Sequence, residues 1–248
     1  MTTASLRLLQ VATLSVGLGT AASATAEIML DLPDEGRNAL EVRFSRFNPQ
    51  IDDEFDGATP YATTFDDKRP YNLEVEYDRQ FFDGFGSLGV GLHLGYNRVR
   101  GNARTVDNQE SPDKTRLLVV PTRLSLVYRF DELVTRYNIP FTIVLKAGLD
   151  YSFWSIGDSD GATAEVPTVN AGPIRGAGGT AGWHASAAVH VLLDWFSPNM
   201  ASSFASNVGV IDSYLFIELM TSQVDDFGSD TSWNLSQRQL WIGLAFEF

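Results

Sequence analysis

The end of this chain has a strict two-residue alternation of apolar side chains, which constrains its fold more than any other feature. Successive side chains of a β-strand point to opposite faces, so apolar residues at every second position share one face. From Gln237 to Phe248 that face would carry Leu240, Ile242, Leu244, Phe246 and Phe248. The other face would carry Gln239, Trp241, Gly243, Ala245 and Glu247. This pattern is typical of a strand with lipid on one side and a narrow polar interior on the other.

Seven earlier stretches show the same alternation at the length of tilted membrane strands. They are Ala39–Phe47, Tyr71–Phe81, Ser87–Val99, Arg116–Phe130, Phe141–Trp154, Trp183–Trp195 and Tyr214–Val224. Pro121 predicts a bulge in the fourth stretch. The seventh is apolar on both faces, and we place Glu218 inward because a carboxylate facing lipid is costly. The sequence therefore predicts an all-β fold, an eight-stranded antiparallel transmembrane β-barrel with up-and-down meander topology.

The connections between these stretches alternate in length, which predicts how the barrel is oriented. Four are long and polar, Asn48–Pro70, Arg100–Thr115, Gly157–Gly182 and Asp225–Ser236, while Asp83–Gly86 and Asp131–Pro140 are shorter. Outer-membrane barrels have long loops outside and short turns in the periplasm, so both termini are expected in the periplasm. The remaining connection, Phe196–Asp212, begins with Ser-Pro and predicts one short periplasmic helix at Asn199–Ser206.

The first 26 residues are typical of a cleaved export signal, with Arg7, an apolar run from Leu8 to Leu18 and the small residues of Ala24-Thr25-Ala26. We expect residues 27–248 to form the barrel. Loss of Arg7 would change the formal net charge from −13 to −14. This acidity argues against nucleic acid as a partner, because phosphate binding needs Lys and Arg. With no cysteine, the chain has no disulfide, thiolate nucleophile or cysteine-based metal site.

Two parts of the sequence resemble known outer-membrane proteins. The closing stretch Leu240–Phe248 resembles the last strand of bacterial outer-membrane β-barrels, and this resemblance implies that it is the signal read by the barrel assembly machinery. The run GGTAGWHASAAVHVLLDW at Gly178–Trp195, SYLF at Ser213–Phe216 and LAFEF at Leu244–Phe248 are similar to a poorly characterised barrel family of myxobacterial type. That resemblance implies an outer-membrane location and a barrel fold, and it transfers no catalytic or binding residue.

The predicted interior holds the most informative candidate site. Aligned strand midpoints place six polar side chains at similar depth, namely Arg43, Glu76, His93, Arg123, Lys146 and Glu218. Unpaired charges in a confined interior are costly, so we expect them to pair. An eight-stranded barrel is barely wide enough for its own side chains, which predicts a filled lumen with at most a small, gated conductance.

Three other patterns have a functional and a plain interpretation. Gly84, Gly86 and Gly89 spell a dinucleotide fingerprint, but an alternating strand follows where a helix is required, so a tight hairpin is favoured. His184, Ser186 and Asp150 are conceivable as base, nucleophile and orienting residue, against an ordinary hydrogen-bonded lumen histidine. The acidic loop with Asp52, Asp53, Glu54, Asp56, Asp66 and Asp67 is either solvated or a loose divalent-cation site.

The favoured function is a structural or surface-interaction role of an integral outer-membrane barrel, acting through its outer loops. The alternatives are a narrow passive channel for small or hydrophobic solutes and a lipid-modifying enzyme. We expect no enzymatic activity, no cofactor and no metal. The expected partners are outer-membrane lipid, lipopolysaccharide and, during biogenesis, the barrel assembly machinery, with the chain acting as a monomer.

Overall fold

The computed structural model describes residues 38–54, 57–66, 68–104, 109–158, 162–166, 174–229 and 232–248. The predicted export signal lies outside these residues. The described chain forms eight long strands: β1 (Asn38–Arg46), β2 (Tyr71–Gly84), β3 (Gly86–Arg104), β4 (Glu110–Phe130), β5 (Phe141–Gly157), β8 (Ala177–Leu192), β9 (Asp212–Val224) and β10 (Gln237–Glu247). Two further short strands, β6 (Glu165–Val166) and β7 (Ile174–Arg175), pair only with each other.

The eight long strands form a closed antiparallel barrel in which each pairs with its sequence neighbours among the eight. Strands β1 and β10 close the cylinder, with Val42 opposite Leu244 and Phe44 opposite Ile242. The Asn38 amide donates to the Phe248 carbonyl oxygen at 3.1 Å, and the Phe248 amide donates back at 2.9 Å. Closure leaves no unpaired sheet edge, as a sheet surrounded by lipid requires. The prediction of an eight-stranded antiparallel barrel is confirmed.

The outer wall of the barrel is apolar, as the alternation predicts. In β9, for example, Leu215, Ile217 and Leu219 are 43%, 54% and 66% exposed, whereas Glu218 is 1% exposed and faces inward. The last strand shows the same division, with Leu240, Ile242 and Leu244 exposed and Trp241 fully buried. Local alternation, together with the cost of a lipid-facing carboxylate at Glu218, thus decides which side chains face the interior.

The predicted bulge at Pro121 is wrong. The pairing of β4 with β5 runs unbroken through Pro121 opposite Ser152, and the register with β3 is the same on both sides of the proline. The Pro121 ring points inward, where a Cβ on Gly95 would lie 2.6 Å from its Cγ. A glycine on the neighbouring strand therefore accommodates the ring without a shift of register. The register does shift elsewhere, between Gln80 and Phe82 and near the end of β3.

The two ends of the barrel differ, and we name them by their connections. The "loop end" carries the connections 47–70, 105–109, 158–176 and 225–236, and the "turn end" carries Phe85, 131–140 and 193–211. Several strands reach further into the loop end than predicted, because most of the expected loop Arg100–Thr115 belongs to β3 and β4, and Gly178–Gly182 belongs to β8. At the turn end, β2 and β3 meet in the tight hairpin expected at the GxGxxG sequence. Gly86 has φ +82° there, and a Cβ on it would lie 2.4 Å from the Arg129 carbonyl oxygen.

The described residues also form three short α-helices outside the barrel wall, α1 (Pro60–Phe65), α2 (Glu132–Tyr137) and α3 (Pro198–Val208). Helix α3 confirms the predicted helix, since Pro198 occupies its first turn and Gly209 ends it in the left-handed region. Helices α1 and α2 were not expected from the sequence. Within the described residues, no helix has the length and apolar character needed to cross a membrane.

The first loop folds back onto the loop end of the barrel. A 3₁₀ helix at Ile51–Glu54 and helix α1 contribute to an apolar cluster with side chains from the strand ends. Its buried members are Phe47, Ile51, Tyr61, Phe65, Val99, Leu117, Val119, Val224 and Leu235. Trp154 and Trp233 stack beside it with ring centroids 4.3 Å apart. The loop end is therefore a packed structure with its own small core.

Candidate functional site

The candidate site is the charged interior of the barrel, because every strand sends alternate polar side chains into it. The six predicted residues are all buried there, with exposures of 3% or less. The structure adds further buried charges that the sequence argument did not single out as part of the network, namely Glu41, Glu74, Asp78, Arg129 and Asp150. All of them occupy inward positions of strands, so the alternation itself could have identified them.

Arg43 on β1 is the hub of this network. Its Nη1 lies 3.1 Å from both carboxylate oxygens of Glu218 and 3.2 Å from Glu76 Oε2. Its Nε and Nη2 lie 3.2 and 3.1 Å from Glu74 Oε2. The planar guanidinium thus engages carboxylates from two other strands, which suits its fork of fixed donors. The Arg43 guanidinium carbon also lies 5.1 Å from the ring centre of the fully buried Trp241.

Lys146 and Arg129 neutralise carboxylates nearer the turn end. Lys146 Nζ lies 2.7 Å from Glu41 Oε2 and 2.6 Å from Glu76 Oε2. Arg129 lies 3.1 Å from Glu41, 3.0 Å from Asp78 and 3.0 Å from Glu247. These contacts join β4 and β5 to β1 and β2 across the interior. The ion pairs therefore tie non-adjacent strands together.

A third group of side chains forms a hydrogen-bonded chain through two histidines. Arg123 lies 2.5 Å from Glu74 Oε2 and 3.1 Å from Asp150 Oδ2. Asp150 contacts His184 Nδ1, and His184 Nε2 lies 2.8 Å from the Ser125 hydroxyl. The same Ser125 oxygen lies 2.5 Å from His93 Nε2.

The donors in this series of hydrogen bonds determine the histidine tautomers. Arg43 Nη2 contacts His93 Nδ1, and a guanidinium can only donate, so Nδ1 accepts. His93 Nε2 then carries the proton and donates to Ser125 Oγ, whose own hydrogen goes to His184 Nε2. His184 Nδ1 donates to Asp150, since the ionised carboxylate only accepts. Both histidines are neutral in this arrangement, and the chain has one consistent direction.

The array of His184, Ser186 and Asp150 considered above does not form, although His184 does contact Asp150. His184 instead contacts Ser125, from a strand that is not adjacent to β8, while the Ser186 hydroxyl has no hydrogen-bond partner. Ser125, His184 and Asp150 have the connectivity of a hydrolase triad, yet their exposures are 2%, 2% and 5%. A nucleophile enclosed in this way does not meet a substrate carbonyl, and Ser125 is shared with His93. The geometry supports a structural hydrogen-bond chain.

The acidic first loop shows a structural role for one of its members. Asp52 accepts hydrogen bonds from the Tyr61 amide at 2.6 Å and the Ala62 amide at 3.0 Å, in the first turn of α1. A carboxylate there satisfies amides that the helix leaves free and interacts favourably with the helix dipole. Asp56 and Asp67 of the proposed cluster lie outside the described residues.

Outside the membrane-spanning strands, burial raises the pKa of Asp131 and Asp194 at the turn end.

The residues of the predicted assembly signal lie on the outer face of the barrel or beside its rim. Leu240, Ile242, Leu244 and Phe248 are 53%, 49%, 41% and 40% exposed, and Phe246 is half-buried. They present one continuous apolar row along β10.

Comparisons with known proteins were informative only at the level of structure. No protein-family model and no curated protein sequence matches this chain. Among solved structures, OprG of Pseudomonas aeruginosa is 11% identical and covers 87% of this chain and 98% of its own, with a TM-score of 0.49. Ail of Yersinia pestis, solved with the heparin analogue sucrose octasulfate, is 12% identical over 86% and 99%, with a TM-score of 0.44. Neisserial surface protein A is 11% identical over 85% and 96%, with a TM-score of 0.42. The likeness concerns the fold of small outer-membrane barrels, and the myxobacterial resemblance is not confirmed.

Proposed function

We propose that this chain is a non-conducting integral protein of the outer membrane, which acts at the cell surface through its loop end. The observation that carries the proposal is the filled interior. The cations Arg43, Arg123, Arg129 and Lys146 each contact two or more carboxylates from other strands, and each is 3% exposed or less. Such an interior supports a scaffold and leaves the loops as the part that can vary in function.

The outer wall supports insertion into lipid. Its apolar side chains are too exposed for a protein surrounded by water. Large aromatic side chains lie near both ends, where membrane barrels carry interfacial girdles. Exposed examples are Phe85, Tyr137, Phe141, Trp195 and Phe196 at the turn end, and Tyr71, Tyr151, Phe153 and Trp183 toward the loop end.

Two arginines on the outer wall support an orientation with the loop end at the cell surface. Arg100 and Arg238 are exposed at the loop ends of β3 and β10, on the outward face. Lipopolysaccharide presents phosphates in the outer leaflet, and guanidinium groups bind phosphate well. These two arginines favour contact of the outer wall at the loop end with lipopolysaccharide phosphates.

Cysteine labelling tests the orientation, because the sequence contains no cysteine. Asp113→Cys places a thiol at the exposed loop end, and Asn207→Cys places one on α3 at the turn end. A membrane-impermeant maleimide added to intact cells should label Asp113→Cys alone. After outer-membrane permeabilisation both should react. Labelling of Asn207→Cys alone in intact cells would show that the proposed orientation is reversed.

Planar-bilayer recording tests the filled lumen. The wild-type protein should give no current steps above those of protein-free bilayers. A folded Arg43→Ala/Arg123→Ala variant is the matched positive control, because it removes the two largest cations from mid-barrel. Wild-type steps as large as those of this variant would refute a non-conducting barrel and would favour the passive channel.

The loop end offers a surface for recognition. The apolar cluster there surrounds a cavity of about 170 Å³ lined in part by Tyr61, Phe65, Leu117 and Trp233. A cavity of this size has room for one apolar side chain of a partner. The enzymatic alternative is disfavoured because Ser125 is only 2% exposed, so lipid A mass spectra should be unchanged when the chain is expressed.

A further inference from the structure

The described barrel interior contains more carboxylates than cations. The carboxylates are Glu41, Glu74, Glu76, Asp78, Asp150, Glu218 and, at the turn end, Glu247, and the permanent cations are Arg43, Arg123, Arg129 and Lys146. The hydrogen-bond directions leave His93 and His184 neutral, and the buried His190 has no hydrogen-bond partner to stabilise a charge, so the carboxylates exceed the cations by three. A buried charge without compensation is strongly unfavourable. A bound cation or protons must therefore offset the excess.

Three of these carboxylates meet near the turn end. Glu41, Glu76 and Asp78 each present one oxygen, and these oxygens lie within 4.8 Å of one another. All three side chains have 0% exposure. Lys146 and Arg129 engage both oxygens of Glu41, Oε2 of Glu76 and Oδ2 of Asp78, and they leave Glu76 Oε1 and Asp78 Oδ1 without a hydrogen bond. The cluster thus keeps acceptor capacity that the two cations do not use.

Two unpartnered oxygens point into the same space. Glu76 Oε1 and Asp78 Oδ1 are buried and accept no hydrogen bond. Both lie over Gly91 of β3, where a Cβ would be 2.3 Å from Asp78 Oδ1 and 2.9 Å from Glu76 Oε1. The absence of a side chain at Gly91 is therefore what allows the two oxygens to converge. Buried acceptors with no donor are rare, and they indicate an ion, a water or a proton at that position.

We propose that Glu41, Glu76 and Asp78 form a buried binding site for a hard divalent cation of the size of Ca²⁺. Ca²⁺ binds oxygen at roughly 2.3–2.6 Å, so two of its ligands can stand about 5 Å apart, which the observed spacing allows. Mg²⁺ requires shorter bonds and stricter octahedral geometry, and it keeps its waters. The cluster offers only oxygen, which soft metals disfavour. One Ca²⁺ reduces the interior excess from three negative charges to one.

The enclosure of the site gives this proposal a kinetic signature. Because all three ligands have no exposed surface, the ion enters while the barrel closes and leaves only when the barrel opens. A chain refolded with Ca²⁺ should retain it after transfer into chelator, unlike a site on an exposed loop. This retention separates the lumen site from loose binding at the acidic first loop or at lipid phosphates.

The test compares the full chain refolded in detergent micelles at one ionic strength with Ca²⁺, Mg²⁺ or Na⁺. After gel filtration in chelator, atomic emission should find about one Ca²⁺ per wild-type chain, and the Ca²⁺-refolded protein should have the highest unfolding midpoint. Asp78→Asn should lose both the retained Ca²⁺ and the higher unfolding midpoint. Changing a residue that only supports a metal ligand typically lowers affinity roughly 10- to 100-fold, and removing a ligand itself should cost at least as much. Gly91→Ala, which displaces the Asp78 oxygen without removing any charge, is a second variant with the same expected loss.

Asp150→Asn is the matched control, since it removes a buried carboxylate from the same interior. Asp150 contacts Arg123 and His184 and is not one of the three proposed ligands. It should retain bound Ca²⁺. Wild-type protein without retained Ca²⁺, or Asp78→Asn retaining as much as wild type, would overturn the site and assign the excess charge to protons. Equal effects of Na⁺ and Ca²⁺ would also overturn it. None of these outcomes bears on conductance or orientation, so the proposed function stands or fails separately.

Discussion

Replacing Arg43 by Met is the most direct test of the reasoning about the barrel interior. The substitution keeps a long apolar stem and removes the charge that faces Glu74, Glu76 and Glu218, all within 3.2 Å. Breaking a buried ion pair from one side typically costs about 3–5 kcal/mol, because the remaining charge is left without a partner. Here three carboxylates lose a partner, and Lys146 and Arg123 compensate only in part. We therefore expect Arg43→Met to lower the free energy of unfolding by about 3–5 kcal/mol.

The opposite substitution in the same ion pair should behave differently. Glu218→Gln leaves Arg43 with Glu74 and Glu76, and it reduces the carboxylate excess of the interior. The amide still offers an oxygen to the guanidinium. We expect a loss of about 1 kcal/mol or less, near the net value of a single hydrogen bond. Replacing the cation should cost more stability than replacing the carboxylate, because the interior has an excess of negative charge.

The assay is equilibrium urea unfolding of the full chain in lipid vesicles, monitored by tryptophan fluorescence and by the gel shift of the folded barrel. Arg238→Met is the control, since it removes an exposed arginine from the outer wall and should change stability by no more than about 0.5 kcal/mol. The reasoning is refuted if Glu218→Gln destabilises as much as Arg43→Met. It is also refuted if Arg43→Met and the control are alike.

Three further predictions concern other parts of the molecule. Trp241→Ala should lower the free energy of unfolding by about 3–5 kcal/mol in the same urea assay. Trp241→Phe removes an indole N–H that has no hydrogen-bond partner, so it should cost less than about 1.5 kcal/mol. Equal losses for the two variants would contradict a packing role for Trp241. Leu219→Lys, at mid-height on the outer wall, should lower the free energy of unfolding in vesicles by about 2–4 kcal/mol, and Gln223→Lys at the loop end should lower it by about 0–1 kcal/mol. Similar losses at both depths would argue against the proposed lipid belt. Asp52→Ala should raise hydrogen exchange at the Tyr61 amide through loss of a cap worth about 0.5–2 kcal/mol, without a change in barrel stability; unchanged exchange at Tyr61 would exclude the capping role.

The sequence predicted well wherever the controlling interaction was local. Alternation with period two divides the residues of a strand between two faces, so the outward row on β10 follows without knowledge of neighbours. In β9, which is apolar on both faces, the cost of a lipid-facing carboxylate places Glu218 inward, and this is also a local argument. Helix α3 followed from Pro198 and Gly209 in the same way. Helices α1 and α2 did not, because each has only six residues and depends on contacts such as the Asp52 cap.

Contacts across the interior were decided by the tertiary structure alone. Which carboxylate meets which cation depends on the stagger of eight strands around a closed cylinder, and no single strand encodes that stagger. For this reason His184 meets Ser125 and not Ser186, Lys146 reaches Glu41 from the far side, and two carboxylate oxygens converge over Gly91. The sequence by itself determined that a lipid-facing wall surrounds a charged interior, because side-chain direction along a strand is a local property. Only the closed barrel determined how those charges pair, because pairing is a property of register between strands distant in sequence.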